Sequence, residues 1–353
     1  MAIGIRERAA EFLTGASSGT PSELESLPIT AILRNPRRVL IIPGPHIEDI
    51  ILLEPFAHST KVLYPDAYIV LLVPDRFLSL AIEMECIDKV IPLNASIHKK
   101  GSCELDRLKS ELTATYFDVA LAVSFEAEQI VRALTASSGA KIKIGFQEID
   151  RNGLSCNVVL RDRDRDQPYQ RRIEKLFSLL GVKRIPHFKP VLTRERDEAI
   201  YSLDYLRERH GEPIIGFYFD QLDPLDQLKE EELEKAVRVI VKRRNQKSII
   251  AGYGLQLKQL KPFTSDGARI IEDATLVKLI ALFSDCSWVI TNSFGFTILM
   301  GEIGRRVVFL GKPKRLTKFP LNRLTSVTFL PVVSGRILQD SLVRVMEEKY
   351  PGE

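Results

Sequence analysis

One segment of the chain has polar residues and a glycine where an apolar strand pattern gives way to a helix. In SDCSWVITNSFGFTILMGEIGRRVVFLGKP, residues 284–313, the strand pattern of 287–291 runs into Asn292, Ser293, Phe294 and Gly295, and a helix follows over 296–303. Unpaired backbone N–H groups and the helix dipole make such a junction a natural anion site, with a nucleotide as the obvious ligand. Asn and Ser are also ordinary helix caps. This segment alone favours the cap.

Composition limits the class of protein. The 353 residues carry a net charge of +4, with 45% hydrophobic and 27% charged residues. This length predicts two domains, and this balance is typical of a soluble globular chain. The mild positive charge is compatible with an anionic ligand or a membrane surface. It falls short of a nucleic-acid-binding signature, so we expect no nucleic-acid partner.

Cysteine and histidine spacing gives no indication of a metal site. The four cysteines form no CxxC pair and the five histidines are scattered, which predicts reduced thiols in a cytoplasmic protein and no metal. The N-terminus lacks the continuous apolar run of a signal peptide, and nothing approaches the length of a membrane span. Residues 5–13 place apolar side chains near one helical face, which favours a small docking helix over a bilayer contact.

The order of predicted elements indicates two similar domains. Apolar strands at 37–42, 67–73, 89–92, 119–124 and 142–146 alternate with helices at 47–63, 77–86, 105–115 and 169–180. Beyond about residue 185, strands at 213–219, 248–253, 269–271, 287–291 and 306–311 alternate with helices at 231–244, 274–283 and 296–303. Strands that are apolar throughout and alternate with helices predict parallel sheets covered on both faces. Each half is therefore expected to be a doubly wound α/β domain.

Several motifs in this layout resemble glycosyltransferase family 9, the heptosyltransferase-like enzymes of the GT-B fold. The segment 64–67 reads YPDA as in that family, Phe117-Asp118 and the IGF of 144–146 match further motifs, and 292–304 (NSFGFTILMGEIG) resembles its donor loop. The resemblance runs from about residue 38 to 313. It implies a fold of two Rossmann-like domains that face a cleft.

The resemblance also suggests residue roles. Asp49 falls on the family's acidic residue, which is proposed to take a proton from the acceptor hydroxyl, and a carboxylate at a loop-to-helix junction suits that chemistry. Stabilisation of the helix N-terminus by Asp49 and Glu48 is the open alternative. His46, beside the same loop, is a second candidate on the acceptor side.

The donor-binding candidates follow from the second half of the chain. Asn292, Ser293, Gly295 and Phe296 lie in the donor loop, Gly252 and Tyr253 occupy the position of a Gly-rich turn, and Glu272 is placed to accept hydrogen bonds from ribose. Ordinary turn or surface roles remain alternatives for the last three.

The donor loop also departs from the family pattern. Ser293, Phe294 and Ile298 replace its Asp, Ser and His, and the basic signature expected near 217–228 is FYFDQLDPLDQL. Positive charge opposite a diphosphate leaving group is a large aid to a metal-independent transfer. These changes indicate an altered donor, a base from elsewhere such as Lys229, or lost activity.

Together the patterns predict residues 1–36 as an N-terminal helix and linker, 37–185 as an acceptor-side Rossmann-like domain, and 186–353 as a nucleotide-sugar-binding Rossmann-like domain. The terminal helix is expected to pack back on the first domain.

The predicted function is inverting transfer of a sugar from a nucleotide-sugar, with an ADP-sugar as the expected donor, to a surface glycan or glycolipid in lipopolysaccharide biosynthesis. No cofactor is implied. The protein is expected in the cytoplasm, with possible peripheral contact at the inner membrane face. The alternative is a catalytically inactive GT-B scaffold whose aromatic residues fill the former donor pocket.

Overall fold

The computed structural model describes residues 29–94, 103–124, 129–147, 155–161, 169–182, 214–220, 228–244, 247–253, 268–272, 274–311, 326–331, 342 and 344. The predicted helix at 5–13 and the basic cluster at 312–318 lie outside these residues. The chain divides into two compact units, Met1–Phe188 and Lys189–Glu353.

The first unit contains a six-stranded parallel sheet. Its strands are β1 (Arg38–Pro43), β2 (Tyr68–Pro74), β3 (Lys89–Leu93), β4 (Val119–Val123), β5 (Ile142–Phe146) and β6 (Val158–Leu160). Its helices are α1 (Ile29–Arg34), α2 (Ile47–Ile51), α3 (Glu54–Leu63), α4 (Leu78–Ile82), α5 (Cys103–Ala114), α6 (Gln129–Ala136) and α7 (Tyr169–Ser178), with a 3-10 turn at Asp75–Phe77. The strand order is β3-β2-β1-β4-β5-β6, and every pairing is parallel.

The second unit repeats this topology. Its strands are β7 (Ile215–Asp220), β8 (Ser248–Tyr253), β9 (Ala268–Ile270), β10 (Trp288–Thr291), β11 (Arg306–Gly311) and β12 (Val327–Pro331). Its helices are α8 (Glu230–Arg244), α9 (Leu276–Phe283) and α10 (Phe294–Glu302). The order β12-β11-β10-β7-β8-β9 has the first and fourth strands of the unit at its centre, as in the first sheet.

Apolar spacing explains why these elements pack. On α8, the buried side chains of residues 233, 236, 237, 240 and 241 recur at helical spacing and pack against Phe217, Phe219 and Ile250 of the sheet. In the first unit, Leu108 and Leu112 of α5 join a core with the central strands. Most strand residues are buried, as expected when helices cover both faces of a parallel sheet.

This topology fixes where ligands can be recognised. All strands of a sheet point the same way, so the loops that follow them gather at one edge, here called the carboxyl edge, and the loops that precede them gather at the opposite amino edge. In open α/β sheets, ligands bind at the carboxyl edge where the strand order reverses. That point lies between β1 and β4 in the first unit and between β7 and β10 in the second.

Some element predictions need correction. The single helix predicted over 47–63 is two helices, α2 and α3, and the second has a proline in its first turn. A proline there cannot continue a preceding helix, which explains the break. The helix α1 lies in the segment that was predicted to be a linker, and the helix α6 and the short edge strands β6 and β12 were not predicted either. Leu342, from the predicted terminal helix, lies in the core of the second unit, and the packing of that helix on the first domain stays a prediction.

Candidate functional site

Asp49 lies at the carboxyl edge of the first sheet, at the reversal of strand order. It belongs to α2, which follows β1 after three residues, and its side chain is only 3% exposed. Its Oδ2 accepts a hydrogen bond from the backbone N–H of His46 over 3.2 Å. The carboxylate therefore does stabilise the first turn of α2, as one of the two interpretations of this residue requires.

A glycine makes room for this carboxylate. A Cβ placed on Gly44 would lie 2.2 Å from Oδ2 of Asp49 and 3.1 Å from the Oγ of Ser124. The first distance is far inside van der Waals contact, so no other residue type fits at position 44 without moving the carboxylate. Ser124 directly follows β4. The Asp49 carboxylate thus lies over the backbone between the ends of the two central strands.

Two neighbours of Asp49 complete this part of the site. Glu48 is 1% exposed, and His46 is partly buried. The guanidinium of Arg76, in the 3-10 turn after β2, donates a hydrogen bond from Nη2 to the carbonyl oxygen of Pro45 over 2.7 Å. Arg76 therefore fixes the loop that leads to Asp49. Neither Arg76 nor Ser124 was among the predicted site residues, although Ser124 ends a predicted strand and Arg76 lies three residues beyond another.

Glu54, at the start of α3, is a further buried carboxyl group. Burial, followed by the charge of Glu85, raises its pKa to about 8. Burial is also the main cause that raises the pKa of the Cys86 thiol to about 12, with a smaller effect from Glu54. Glu54 therefore binds a proton at neutral pH in an apolar surrounding. This property could not be predicted from the sequence, because Glu in the first turn of a helix is common.

The corresponding point of the second sheet holds Asn292. Its Oδ1 accepts from the backbone N–H of Asp220 over 2.9 Å, and its Nδ2 donates to the carbonyl oxygen of Asp220, also over 2.9 Å. Asp220 ends β7, and Asn292 directly follows β10. The amide continues the pairing of the two central strands by one further step, and Asn292 is fully buried.

The polar atoms of Ser293 also form hydrogen bonds within the second unit. Its Oγ caps α10 by accepting from the backbone N–H of Phe296, and its own N–H donates to the Oγ1 of Thr291. Its carbonyl oxygen accepts from the Oγ1 of Thr297 over 2.8 Å. The polar groups of this turn thus have partners inside the second unit, as the cap interpretation predicts.

Aromatic side chains surround the start of α10. The Phe296 ring stacks on Tyr218 of β7 at a centroid distance of 3.9 Å and meets Phe283 edge-on at 5.4 Å. Phe294 packs against Phe309 of β11 at 5.8 Å. All eight residues from Phe294 to Gly301 are buried. Because α10 is apolar on every side, it packs as a core helix.

The other donor candidates lie at the same edge. Gly252 and Tyr253 end β8, in register with Phe219 and Asp220 of β7. Glu272 follows β9 by two residues and is exposed. The structure thus brings the predicted donor residues to the carboxyl edge of the second sheet, and Asp49, Glu48 and His46 to the carboxyl edge of the first. Among the described residues, no group of acidic, histidine or cysteine side chains could hold a metal ion.

Comparison with solved structures finds this pair of sheets in known proteins. The ADP-heptose LPS heptosyltransferase II of E. coli is 17% identical, with 89% of this chain and all of that chain covered and a TM-score of 0.64. The glycosyl transferase family 9 structure from Veillonella parvula is 16% identical, with 92% of each chain covered and a TM-score of 0.66. E. coli heptosyltransferase WaaC with ADP-2-deoxy-2-fluoro heptose is 16% identical, with 89% of this chain and all of that chain covered and a TM-score of 0.63.

The chain has the GT-B fold of the heptosyltransferases. The predicted fold class is confirmed, and the resemblance to glycosyltransferase family 9 is confirmed at the level of the fold. No family model and no curated protein matches the sequence. No helix within the described ranges is long and apolar enough to cross a membrane.

Within this GT-B fold, two of the motifs shared with family 9 have structural roles at the amino edge. Asp118 accepts from the backbone N–H groups of Arg37 and Arg38 and from the Nζ of Lys141. These hydrogen bonds outweigh partial burial and lower its pKa. The hydroxyl of Tyr64 donates to the carbonyl oxygen of Leu180 over 2.7 Å, and so joins α3 to the end of α7. Neither motif belongs to the candidate site.

Proposed function

We propose that the protein is a glycosyltransferase that moves a sugar from a nucleotide-sugar to a hydroxyl group of a glycan or glycolipid, with inversion. The observation that carries the proposal is the buried Asp49 carboxylate, held over Gly44 where the strand order of a GT-B sheet reverses. A protein with no use for a carboxylate there could hold the α2 N-terminus with a neutral cap, at a lower cost of desolvation.

In the proposed reaction, the acceptor hydroxyl gives its proton to Asp49 while its oxygen forms a bond to the anomeric carbon of the donor. The bond between that carbon and the diphosphate oxygen breaks, and its electron pair leaves with the nucleoside diphosphate. Attack opposite to the leaving group inverts the anomeric centre. A carboxylate within hydrogen-bonding reach of an alcohol can take its proton as the oxygen attacks.

The donor would bind at the carboxyl edge of the second sheet. The candidates are Asn292, Ser293, Gly295, Phe296, Gly252, Tyr253 and Glu272. The side chain of Asn292 joins the strand ends, and that of Ser293 caps α10. Backbone groups and Glu272 would therefore make the contacts with the donor. The WaaC structures contain ADP or an ADP-sugar, so an ADP-sugar is the first donor to test.

The setting of the reaction follows from the same proposal. A surface glycan or glycolipid acceptor, such as a lipopolysaccharide precursor, would be reached from the cytoplasm at the inner face of the membrane. His46 and Glu48, which flank the base, would contact that acceptor.

A second candidate function, a non-catalytic protein of the same fold, is favoured by one specific observation. The residues that replace the family's polar donor contacts are packed inside the unit, with Phe294 and Ile298 fully buried. A loop that has exchanged ligand contacts for core packing suits a scaffold that binds a partner.

One experiment separates the two functions. Purified protein is titrated calorimetrically with ADP, UDP, GDP and ADP-heptose. Transfer of the sugar is then assayed with nucleotide-sugars of the nucleotides that bind. The Asp49→Asn variant removes the base and keeps the shape, whereas Asp66→Asn makes the same change at an exposed position of the first unit. We expect Asp49→Asn to bind nucleotide normally and to lose about 10²- to 10⁴-fold in turnover, the usual range for a general base. Binding of no nucleotide would refute the transferase and leave the scaffold.

A further inference from the structure

A single peptide group lies between Arg76 and Asp49. The carbonyl oxygen of Pro45 accepts a hydrogen bond from Nη2 of Arg76 over 2.7 Å, and the backbone N–H of His46 donates to Oδ2 of Asp49 over 3.2 Å. The carbonyl of residue 45 and the N–H of residue 46 belong to the same planar, conjugated peptide group. A cation that binds the carbonyl oxygen draws electrons away from the nitrogen, and this makes the N–H a stronger donor. Arg76 therefore acts on Asp49 through the 45–46 peptide.

The same two hydrogen bonds bring opposite charges close together. The oxygen and nitrogen of a peptide group are about 2.3 Å apart, so Nη2 of Arg76 lies within about 8 Å of Oδ2 of Asp49. Asp49 is buried and Arg76 is half-buried. Water and salt screen a partly buried pair less than an exposed one, so the guanidinium stabilises the ionised carboxylate at this distance.

Arg76 is itself fixed by its surroundings. Its guanidinium carbon lies 4.5 Å from the centroid of the Phe77 ring, and Phe77 is buried. Both residues belong to the 3-10 turn that directly follows β2, and β2 is paired with β1, the strand that leads to Asp49. The turn thus holds the guanidinium in place before any substrate binds, and a charge placed in advance is the kind that is effective in a site.

Asp49 needs a cation nearby in order to stay ionised, because burial favours the neutral form of a carboxyl group. On or beside α2, α3 and α7, the other described ionisable side chains that are at least half-buried at the carboxyl edge are His46, Glu48, Glu54 and Arg172. The two carboxyl groups in this set oppose a further negative charge when they are ionised. The guanidinium of Arg172 lies over Phe146 at the end of β5, two strands away from β1. Arg76, bonded to the loop before α2, is placed to offset the burial of Asp49.

We infer that Arg76 is a positioning residue for Asp49: through the 45–46 peptide it holds Oδ2 in place and keeps the carboxylate ionised near neutral pH. The consequence for catalysis rests on the proposed function, in which Asp49 must be ionised to take the proton of the acceptor. A guanidinium that only anchored the loop would stabilise the fold and leave the proton affinity of Asp49 unchanged. The two roles can therefore be separated by measurement.

A substitution series at position 76 separates them. Arg76→Lys keeps a cation that can donate, Arg76→Gln keeps a donor without charge, and Arg76→Met keeps only the apolar stem. We expect Arg76→Met to raise the pKa of Asp49 by about 1, the effect of one charge at this distance in a partly screened site. Arg76→Gln should be intermediate, and Arg76→Lys should be close to the wild type. The matched control is Arg38→Met, because Nη1 of Arg38 also donates to a backbone carbonyl oxygen over 2.7 Å, that of Thr115, but at the amino edge.

The pKa of Asp49 can be measured without an activity assay. The chain has five histidines, so labelling with 15N-histidine gives five backbone amide signals in the full-length protein, and His46→Gln identifies that of residue 46. Because this amide donates to Asp49, its chemical shift follows protonation of the carboxyl group. The transition that disappears in Asp49→Asn is the one to compare across the series. An unchanged midpoint in Arg76→Met would overturn the inference, as would an equal rise in Arg38→Met.

Turnover gives a second test and keeps the inference apart from the proposed function. The acid limb of kcat/KM against pH should move up by the same amount in Arg76→Met. A loosened loop would instead lower kcat/KM at every pH and leave the limb in place, and that result would count against the inference. If the NMR midpoint rises as expected but neither the wild type nor any variant transfers sugar, the role of Arg76 in ionising Asp49 stands and the proposed function fails.

Discussion

The amide of Asn292 allows a quantitative test of the second unit. The variant Asn292→Ala removes both hydrogen bonds to Asp220 and leaves its backbone N–H and carbonyl oxygen buried without their partner. A buried polar group that loses its partner costs about 1–3 kcal/mol, so the two groups predict a loss of about 2–6 kcal/mol in the free energy of unfolding. This is a large part of the stability of an ordinary domain.

The chain supplies both the probe and the control for this measurement. Its single tryptophan, Trp288, lies in β10 four residues before Asn292, so tryptophan fluorescence in urea reports on the second unit. Asn157 of the first unit makes the same two kinds of hydrogen bond, accepting from the N–H of Lys143 and donating to the carbonyl oxygen of Lys141, but at an exposed position. Water can replace its amide, so Asn157→Ala, followed by far-UV circular dichroism, should cost about 1 kcal/mol or less.

The Asn292→Asp variant adds a pH signature. It keeps the acceptor for the Asp220 N–H but places an oxygen against the Asp220 carbonyl oxygen, so the folded state favours the protonated acid. A folded pKa above the unfolded value of about 3.9 means that the variant is most stable below that pH and loses stability as pH rises. Two results would contradict this reasoning. The free energy of unfolding of Asn292→Ala would fall by less than about 1 kcal/mol, or the stability of Asn292→Asp would depend on pH as that of the wild type does. Either would mean that the hydrogen bonds of the Asn292 amide do not stabilise the second unit.

Three further predictions concern other buried groups. Gly44→Ala should displace the Asp49 carboxylate and, in a transfer assay, lower turnover as Asp49→Asn does, with nucleotide binding retained; normal turnover would contradict the contact. Because the folded pKa of Glu54 is raised to about 8 from 4.5, the wild type should lose stability progressively between those pH values, and urea titrations of Glu54→Gln should lack this loss. Phe294→Ser, which introduces the family's residue into a core position, should cost about 3–5 kcal/mol in urea unfolding; a neutral effect would mean that the loop is not part of the core.

The sequence predicted the regular elements well where apolar runs are long. The strands β5, β8 and β11 have the predicted bounds, because continuous apolar residues leave few other places for a buried parallel strand. The strand β6 has three residues, and β12 lies at an edge of its sheet, so neither carries enough apolar signal.

The candidate site was harder to predict from the sequence, because its residues act through distant partners. Asn292 is recognisable as a donor-loop residue, yet its amide is held by the backbone of Asp220, 72 residues away. Asp118 and Tyr64 also match family motifs, but their hydrogen bonds join elements at the amino edge and so stabilise the fold. A motif in one sequence marks a residue that matters without saying whether it contacts a ligand or holds the fold.

The strand order has a consequence for synthesis of the protein on the ribosome. The two central strands of the first sheet, β1 and β4, are joined by contacts such as that between Arg38 and Asp118, which are 80 residues apart. At about 5–20 residues per second, roughly 4–16 s pass between the emergence of these two strands. During this interval β1, apolar along nearly all its length, is paired along one side only, with β2. The nascent first unit therefore depends on its earliest strand–helix–strand segment to shield the strand that later becomes its centre.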